Sequence, residues 1–382
     1  MADERVRPAP GLHPVVGHDE LQERLRGAFG RDRLPSSLLL HGPRDVGKQR
    51  LALWLGQLLL CEEGTACGAC RSCRLARRLE HPDLHWFFPL PRPTGASTPE
   101  RLREKLEDAR MEELEVRRTE PLEPRDFDGA TGIYLAAVQE MRARAARRPA
   151  MGHRSVFVVG DAEAMVPQAS SPEAANAFLK LLEEPPADTH ILLTSSRRGA
   201  LLPTIRSRTL ALRVPPVSVE AVERLLVEHA GVDAARAETL ARRAQGAPGR
   251  ALRALSEDAT EVRERAEDLV RVALGGQRSE RWALAARLSP SGARGEFDDT
   301  LALAAELVRD LLAESLGAGY LAFEPGLGRR LVGGRLPSPH VLLEALARLE
   351  QARDEAAGNV NPQAITAGLL TDLAGNVPRA GE

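Results

Sequence analysis

The sequence predicts an α/β domain built on a parallel sheet, followed by an all-helical region. Three short apolar runs of the buried-strand type alternate with stretches of helical periodicity. These runs cover residues 36–40, 155–160 and 191–193. From about residue 216 onward the strand signals stop and helical patterns follow. The longest of these patterns cover residues 300–316, 339–357 and 362–373. With 382 residues, the chain is long enough for two or three domains with buried cores.

The composition is that of a globular protein without a strong charge bias. Hydrophobic residues make up 43%, charged residues 28%, and the formal net charge is −2. This balance excludes a globally basic surface for nucleic acid, and an aromatic content of 3% argues against base stacking as the main binding mode. Residues 1–11 are charged and lack the apolar core of a signal peptide, and no apolar run approaches the ~20 residues that cross a bilayer. We therefore expect a cytoplasmic protein.

A phosphate-binding loop is indicated between the first apolar run and the helical pattern after it. Gly42, Gly47 and Lys48 have the spacing of a GxxxxGK motif, in the strand–loop–helix context that the motif requires. Glycines let successive backbone N–H groups turn towards phosphate oxygens at a helix N-terminus, and a lysine adds a positive charge. The motif is incomplete, because Gln49 stands where a Ser or Thr hydroxyl would bind Mg²⁺. Whether ATP and Mg²⁺ bind is left open at this point.

The groups that would activate water for ATP hydrolysis are also incomplete. Asp161 follows the second apolar run, in the position expected for the acid that orients a Mg²⁺ ion. A catalytic Glu would come next, but the residue is Ala162. Glu163 comes one residue later, and on an extended chain its side chain would point to the opposite face. We expect ATP hydrolysis to be very slow or absent.

All the cysteines of the chain lie close together, as Cys61, Cys67, Cys70 and Cys73. In a reducing compartment such clustering indicates a metal site rather than disulfides. Four thiolates with Cys-x2-Cys spacings suit a tetrahedral Zn²⁺ ion and leave no open position, so the site would be structural. Two alternatives stay open. One is an iron–sulfur cluster, because residues 67–73 copy the first part of a ferredoxin motif, although no Cys-Pro follows. The other is a set of small buried hydrophobic side chains.

Residues 91–130 differ from the rest of the first half of the chain. They are rich in proline and in charge, and they have too little apolar surface to form a core. We interpret them as a charged surface insertion, with a solvated helix over Pro99 to Glu115.

Several longer motifs carry a resemblance to a known family. Residues 13–20, HPVVGHDE, resemble the opening motif of that family, and a four-cysteine segment after the phosphate-loop helix is typical of its ATPase branch. The most specific match is residues 173–186, EAANAFLKLLEEPP, which resemble the motif aaNaLLKtLEEPP nearly position by position. Residues 202–209, LPTIRSRT, resemble the SRC motif with Thr209 in place of the cysteine. The family is that of the delta-prime subunits of bacterial DNA polymerase III, within the AAA+ clamp loaders.

The resemblance implies a RecA-like AAA+ parallel-sheet domain, a small helical lid and a C-terminal helical collar. We place these domains at 1–214, 215–258 and 259–382, with the zinc module 61–73 and the charged insertion 91–130 inside the first. The resemblance also implies a role in DNA replication. A subunit of this type joins gamma/tau-type and delta-type subunits in a hetero-oligomeric ring, which opens a sliding clamp and loads it onto primer–template DNA. It hydrolyses ATP poorly or not at all.

Further site residues follow from the resemblance. Thr194 matches the sensor-1 position at a strand end. Gly249 stands where active subunits have the sensor-2 arginine, so that contact would be missing or displaced to Arg250. Arg208 would project into the ATP site of the neighbouring subunit as a trans arginine finger, where it would stabilise the charge of phosphoryl transfer. The residues that would contact nucleotide are Gly42, Gly47, Lys48, Gln49, Asp161 and Thr194.

Two other functions stay open from the sequence. One is an active gamma-type clamp-loader ATPase, which Gln49 and Ala162 argue against. The other is a metal-binding nucleic-acid adaptor formed by the cysteine cluster and the arginines beside it. Binding of DNA by residues 50–90 alone, with a steep salt dependence, would support the adaptor.

Overall fold

A computed structural model describes residues 11–125, 127, 131–165, 173–255, 258–287, 294–324, 326–357 and 361–376. The last residues of the predicted charged insertion and the two ends of the chain therefore lie outside the described residues. The described chain forms two compact units, of which the first runs to Arg125 and from Thr131 to Arg253, and the second begins at Ala254.

Within the described residues, the first unit contains a five-stranded parallel sheet and a two-stranded antiparallel one. The strands are β1 (Ser37–His41), β2 (Leu84–Phe87), β3 (Leu90–Pro91), β4 (Thr131–Gly132), β5 (Ser155–Val159), β6 (Thr189–Ser195) and β7 (Leu210–Arg213). The large sheet has the order β2-β5-β6-β1-β7, and β3 pairs with β4. The order places the phosphate loop, which follows β1, beside the end of β6. The predicted α/β class with a parallel sheet is confirmed.

Helices cover both units. Those of the first unit are α1 (Asp19–Gly30), α2 (Lys48–Leu60), α3 (Arg71–Arg77), α4 (Pro99–Thr119), α5 (Leu135–Ala145), α6 (Glu173–Glu183), α7 (Pro203–Ser207), α8 (Val219–Glu228), α9 (Ala234–Ala244) and α10 (Pro248–Arg253). Those of the second are α11 (Asp258–Gly275), α12 (Arg278–Arg287), α13 (Arg294–Ser315), α14 (Leu327–Leu331), α15 (Pro339–Ala357) and α16 (Pro362–Asn376). The segment expected to form a lid contains α8, α9 and α10.

The helix after the phosphate loop is more deeply buried than its sequence pattern predicts. The pattern places its leucines on one face, yet α2 is buried on all sides from Leu51 to Leu60. Even Gly56 is enclosed, because a Cβ at that position would lie 2.7 Å from a side-chain carbon of Leu84. A helix enclosed in this way holds the phosphate loop at its N-terminus in a fixed position.

The prediction of a solvated helix within the charged insertion is wrong in two respects: α4 is longer, and it packs within the first unit. Arg110 is buried and donates to the carbonyl of Trp86 at 3.1 Å, while the guanidinium of Arg117 lies 4.1 Å from the ring centre of Phe88. Arginine stems and planar guanidinium groups cover aromatic rings, so a segment poor in aliphatic residues can still pack. The buried residues of α4 are Leu106, Arg110, Glu113 and Leu114.

The second unit is helical throughout its described residues. Its core lies between α11, α13, α15 and α16, where Leu301, Leu311 and Leu342 are fully buried. The three long helical patterns of the sequence correspond to α13, α15 and α16. No helix among the described residues is both long enough and apolar enough to span a bilayer.

Candidate functional site

The phosphate loop runs from β1 to α2 and needs its two glycines for different reasons. A Cβ at Gly42 would lie 2.1 Å from the carbonyl oxygen of Val214, so the backbones there approach too closely for any side chain. Gly47 has φ +93 and caps the N-terminus of α2, a conformation that favours glycine. His18, from the opening motif, donates from Nε2 to the carbonyl of Val46 at 2.7 Å. The loop therefore keeps the shape of a phosphate cradle.

Lys48, by contrast, is turned into the protein. Only 4% of the residue is exposed, and its Nζ donates to the Pro43 carbonyl at 2.6 Å and to Ser196 Oγ at 2.8 Å. Burial lowers the pKa of Lys48, although the charges of Asp161 and Glu163 act in the opposite direction. The ammonium group is thus bonded within the protein. No local pattern predicts the contact with Ser196, since that residue lies 148 positions away.

Three of the predicted nucleotide-contacting residues, Gln49, Asp161 and Thr194, are linked to one another by hydrogen bonds. Gln49 Nε2 donates to Asp161 Oδ2 at 2.8 Å, and the backbone N–H of Asp161 donates to Thr194 Oγ1 at 3.0 Å. Gly160 leaves room for this contact, because a Cβ there would lie 2.5 Å from Gln49 Oε1. The long amide of Gln49 therefore reaches across to the acid that would orient a metal ion.

The prediction that Glu163 points to the opposite face is wrong. The chain is not extended after β5, because Asp161 has φ +46 and Ala162 to Met165 form a 3₁₀ turn. Glu163 is buried, and its Oε1 accepts from the backbone N–H groups of Ser196, at 2.9 Å, and Arg197, at 3.2 Å. One oxygen of its carboxylate therefore fixes the end of β6.

The Asp161 carboxyl group predicts a pH-dependent stability. Burial, followed by the charge of Glu163, raises the pKa of Asp161 from 3.8 to about 6, although Lys48 and Arg44 oppose this. Because this pKa is higher in the folded than in the unfolded state, the protonated carboxyl group stabilises the fold at pH values below the unfolded-state pKa. This stabilisation is lost as the pH rises through 6. The shift corresponds to about 3 kcal/mol.

We therefore expect Asp161→Asn to raise the free energy of unfolding at pH 8, by up to about 3 kcal/mol, and to change it little near pH 4. Asparagine keeps an acceptor for Gln49 but carries no charge. Urea unfolding at both pH values is the measurement. The control is Asp32→Asn, since Asp32 is exposed and has a similar left-handed backbone, with φ +52. Equal effects of the two variants at pH 8 would contradict the prediction.

The four cysteines form a cluster with the dimensions of a metal site. Their sulfur atoms all lie within 4.8 Å of one another, and Cys61 Sγ is 3.7 Å from Cys67 Sγ and 4.0 Å from Cys70 Sγ. Tetrahedral Zn²⁺ with sulfur ligands requires S–S separations of about 3.8 Å. The cluster lies where α2 ends at Leu60 and α3 begins after Cys70, so an ion would join the two helices.

The surroundings of the sulfur atoms also suit a cation. The backbone N–H groups of Cys70 and Cys73 donate to the sulfur atoms of Cys67 and Cys70, each at 3.3 Å. Burial raises the pKa of Cys61, but backbone N–H groups, first that of Cys67, lower it to about 6. Burial raises the pKa of Cys73 to about 12. The four sulfur atoms, at these separations, are a donor set that fits Zn²⁺.

Arg208 directly follows α7 and is the arginine of the residues that resemble the SRC motif. Its Nη2 is 2.6 Å from Glu183 Oε1, at the end of α6, and its Nη1 donates to the carbonyl of Thr204 at 3.1 Å. About a third of the Arg208 side chain is exposed, at 35%. The guanidinium is thus accessible at the surface, and it is held by the helix that contains the LEEPP motif.

Comparisons with known proteins agree with the resemblance. The chain matches the family model described as "DNA polymerase III, delta subunit" over residues 17–218. It is 29% identical to DNA polymerase III subunit delta' of Bacillus subtilis over 55% of this chain and 52% of the relative. For the subunit delta' of Pseudomonas aeruginosa the identity is 30%, over 53% of this chain and 55% of the relative. The tau subunit of Escherichia coli is 25% identical over 61% of this chain and 30% of its own length.

The chain thus spans about half the length of the two delta' relatives. The family model covers residues 17–218, more than half of the chain, and includes the phosphate loop, the cysteine cluster and Arg208. The chain therefore belongs to the DNA polymerase III delta-subunit family, as a clamp-loader-type subunit that resembles delta-prime.

Proposed function

We propose that the chain is a delta-prime-type clamp-loader subunit that does not hydrolyse ATP and supplies Arg208 to the ATP site of a neighbouring subunit. Its partners would be gamma/tau-type and delta-type subunits, and through the assembled ring a sliding clamp and primer–template DNA. The observation that carries the proposal is the hydrogen bond of 2.8 Å from Gln49 to Asp161.

That bond removes the place for a metal ion. Mg²⁺ requires oxygen ligands in near-octahedral geometry, and its usual ligand in this loop is a hydroxyl. Gln49 instead directs an N–H donor at the Asp161 carboxylate. These residues do not fit a Mg²⁺ site. In addition, Ala162 has no acid–base group, and Glu163 is bonded to the backbone at the end of β6. The residues at these positions therefore neither place a metal ion nor activate a water molecule.

Two observations favour the trans role of Arg208. The side chain is partly exposed at the end of a short helix, and its motif resembles the family's SRC element. Its contact with Glu183 would hold the guanidinium in place in the isolated chain. An exposed ion pair of this kind contributes little stability, so a neighbouring triphosphate could replace Glu183 at small cost.

The isolated chain should therefore turn over ATP more slowly than ~0.1 s⁻¹, below the range of working ATPases. The assay is phosphate release at saturating ATP and Mg²⁺. Gln49→Thr is the informative variant, since it restores the hydroxyl and removes the bond to Asp161. It should still not turn over ATP fast, because Ala162 is unchanged.

The alternative, an active gamma-type ATPase, has one observation in its favour, which is the similarity to tau subunits. Turnover by the unmodified chain above ~0.1 s⁻¹ would establish that alternative and contradict our proposal. For the cysteine cluster we propose a structural zinc site, whose removal is considered in the Discussion.

A further inference from the structure

The middle of the phosphate loop contains an acidic residue, Asp45. Its backbone has φ +66, in the left-handed region that favours glycine and that aspartate tolerates better than most residues. The side chain is 21% exposed. A carboxylate in this position repels phosphate groups, which is the opposite of what a phosphate-binding loop needs.

Cations from the loop and from α10 surround this carboxylate. Arg253, the last residue of α10, donates from Nη2 to Asp45 Oδ1, and Arg44 Nε lies 3.9 Å from Asp45 Oδ2. Burial raises the pKa of Asp45, but Arg253 and Arg44, with a smaller effect of Lys48, outweigh burial and bring the pKa below its ordinary value. The group is therefore a carboxylate at neutral pH.

The backbone of the loop is bonded to the same helix. The N–H of Gly249 donates to the carbonyl of Asp45 at 3.0 Å. A Cβ at Gly249 would lie 3.0 Å from Asp45 Cβ, so the start of α10 packs directly on the loop and a larger residue would push it away. The loop and α10 are thus joined by a backbone bond and an ion pair, although Asp45 and Arg253 lie 208 residues apart in the chain.

We propose that Asp45 is an internal anion that takes the place of a nucleotide phosphate. It neutralises the positive charges of Arg44, Lys48 and Arg253, joins α10 to the phosphate loop, and excludes polyphosphates from the loop. A polyphosphate and the Asp45 carboxylate compete for the same cations, so the loop is closed to nucleotide as long as the carboxylate is present. Asp45 is then the residue that prevents the loop from binding phosphate ligands.

The test uses inorganic tripolyphosphate, without Mg²⁺, and titration calorimetry on the full chain at low salt. Two variants remove the charge: Asp45→Gly, which suits the left-handed backbone, and Asp45→Asn, which keeps the shape of the side chain. Both should bind tripolyphosphate at least about tenfold more tightly than the wild type, because one repulsive charge is gone and Asp45 no longer competes for Arg253. The matched control is Asp32→Asn, which removes one negative charge from a similar backbone outside the site and should leave the affinity unchanged.

Two further measurements make the outcome decisive. Adding Arg253→Ala to Asp45→Asn should abolish the gain in affinity, because Arg253 would be a ligand of the anion. Hydrogen exchange at the Gly249 amide should lose protection in Asp45→Gly, and tripolyphosphate should restore it. The inference is overturned if folded Asp45 variants bind no more tightly than the Asp32 control, or if the gain persists without Arg253. The experiment needs no partner subunit, so its failure leaves the proposed ring function untouched.

Discussion

We expect Arg208→Ala to slow ATP hydrolysis at the site of the neighbouring subunit by about 10³-fold, the lower end of the range for trans arginine fingers. The guanidinium is planar, permanently charged and suited to bidentate contact with phosphate oxygens, so alanine removes charge stabilisation that exists only in the transition state. The measurement is single-turnover hydrolysis by a ring reconstituted with its gamma/tau-type and delta-type subunits. Folding of the chain should be unaffected, because the side chain is partly exposed.

Three variants separate this role from a structural one. Arg208→Lys keeps the charge but not the planar fork, and should recover only part of the rate. Arg242→Ala breaks an exposed ion pair of the same 2.6 Å length, with Glu238, and should have no effect on hydrolysis. Glu183→Gln frees Arg208 and should leave the rate unchanged or raise it. A normal rate for Arg208→Ala in an assembled ring would remove this residue from the mechanism.

The central strands of the sheet could be predicted from the sequence, and the edge strands could not. The runs at 36–40, 155–160 and 191–193 correspond to β1, β5 and β6, which lie inside the sheet and are buried on both faces. The outer strands, β2 and β7, gave no such signal. β2 contains His85, and β7 is mostly exposed. An edge strand has one free side, so its sequence need not be continuously apolar.

Local motifs single out the residues of the candidate site, but they do not predict the contacts among those residues. Gln49 departs from the phosphate-loop motif, and Asp161 matches the position of the strand-end acid. Together they indicate an altered metal position. Their direct hydrogen bond depends on the length of the amide and on the absence of a Cβ at Gly160, which no local pattern encodes. Glu163 was misplaced for a local reason, since a left-handed residue at 161 turns the chain at a point where periodicity assumes an extended strand.

Contacts between segments that are distant in the chain were the hardest feature to predict from the sequence. Lys48 with Ser196, and Asp45 with Arg253, join segments 148 and 208 residues apart. With so many arginines in the chain, no single one could be singled out as the partner of Asp45. Asp45 nevertheless stands out once the backbone is known. It is an aspartate with a positive φ inside a phosphate loop, where glycine would be expected.

Loss of zinc from the cysteine cluster should also have a large effect. We expect purified protein to contain one equivalent of zinc, and Cys67→Ser and Cys73→Ser to lose it alike. In small structural sites zinc binding supplies on the order of 10 kcal/mol, so chelation should open the cluster and α3. Because α2 is enclosed by the sheet and its neighbouring helices, the loss should be local. Hydrogen exchange over residues 61–85 should lose protection while β1 and β5 keep theirs.

The comparison of two cysteines decides between a metal site and a buried apolar cluster. Cys73 is fully buried and Cys67 is exposed. If the thiols were only small hydrophobic side chains, Cys73→Ser would destabilise the protein and Cys67→Ser would be neutral. If they are ligands, the two variants should be equally deficient in metal, because three sulfur atoms cannot replace four. Elemental analysis distinguishes zinc from iron. Purified protein that contains neither metal would contradict the assignment, because a closed four-thiolate site does not release its ion readily.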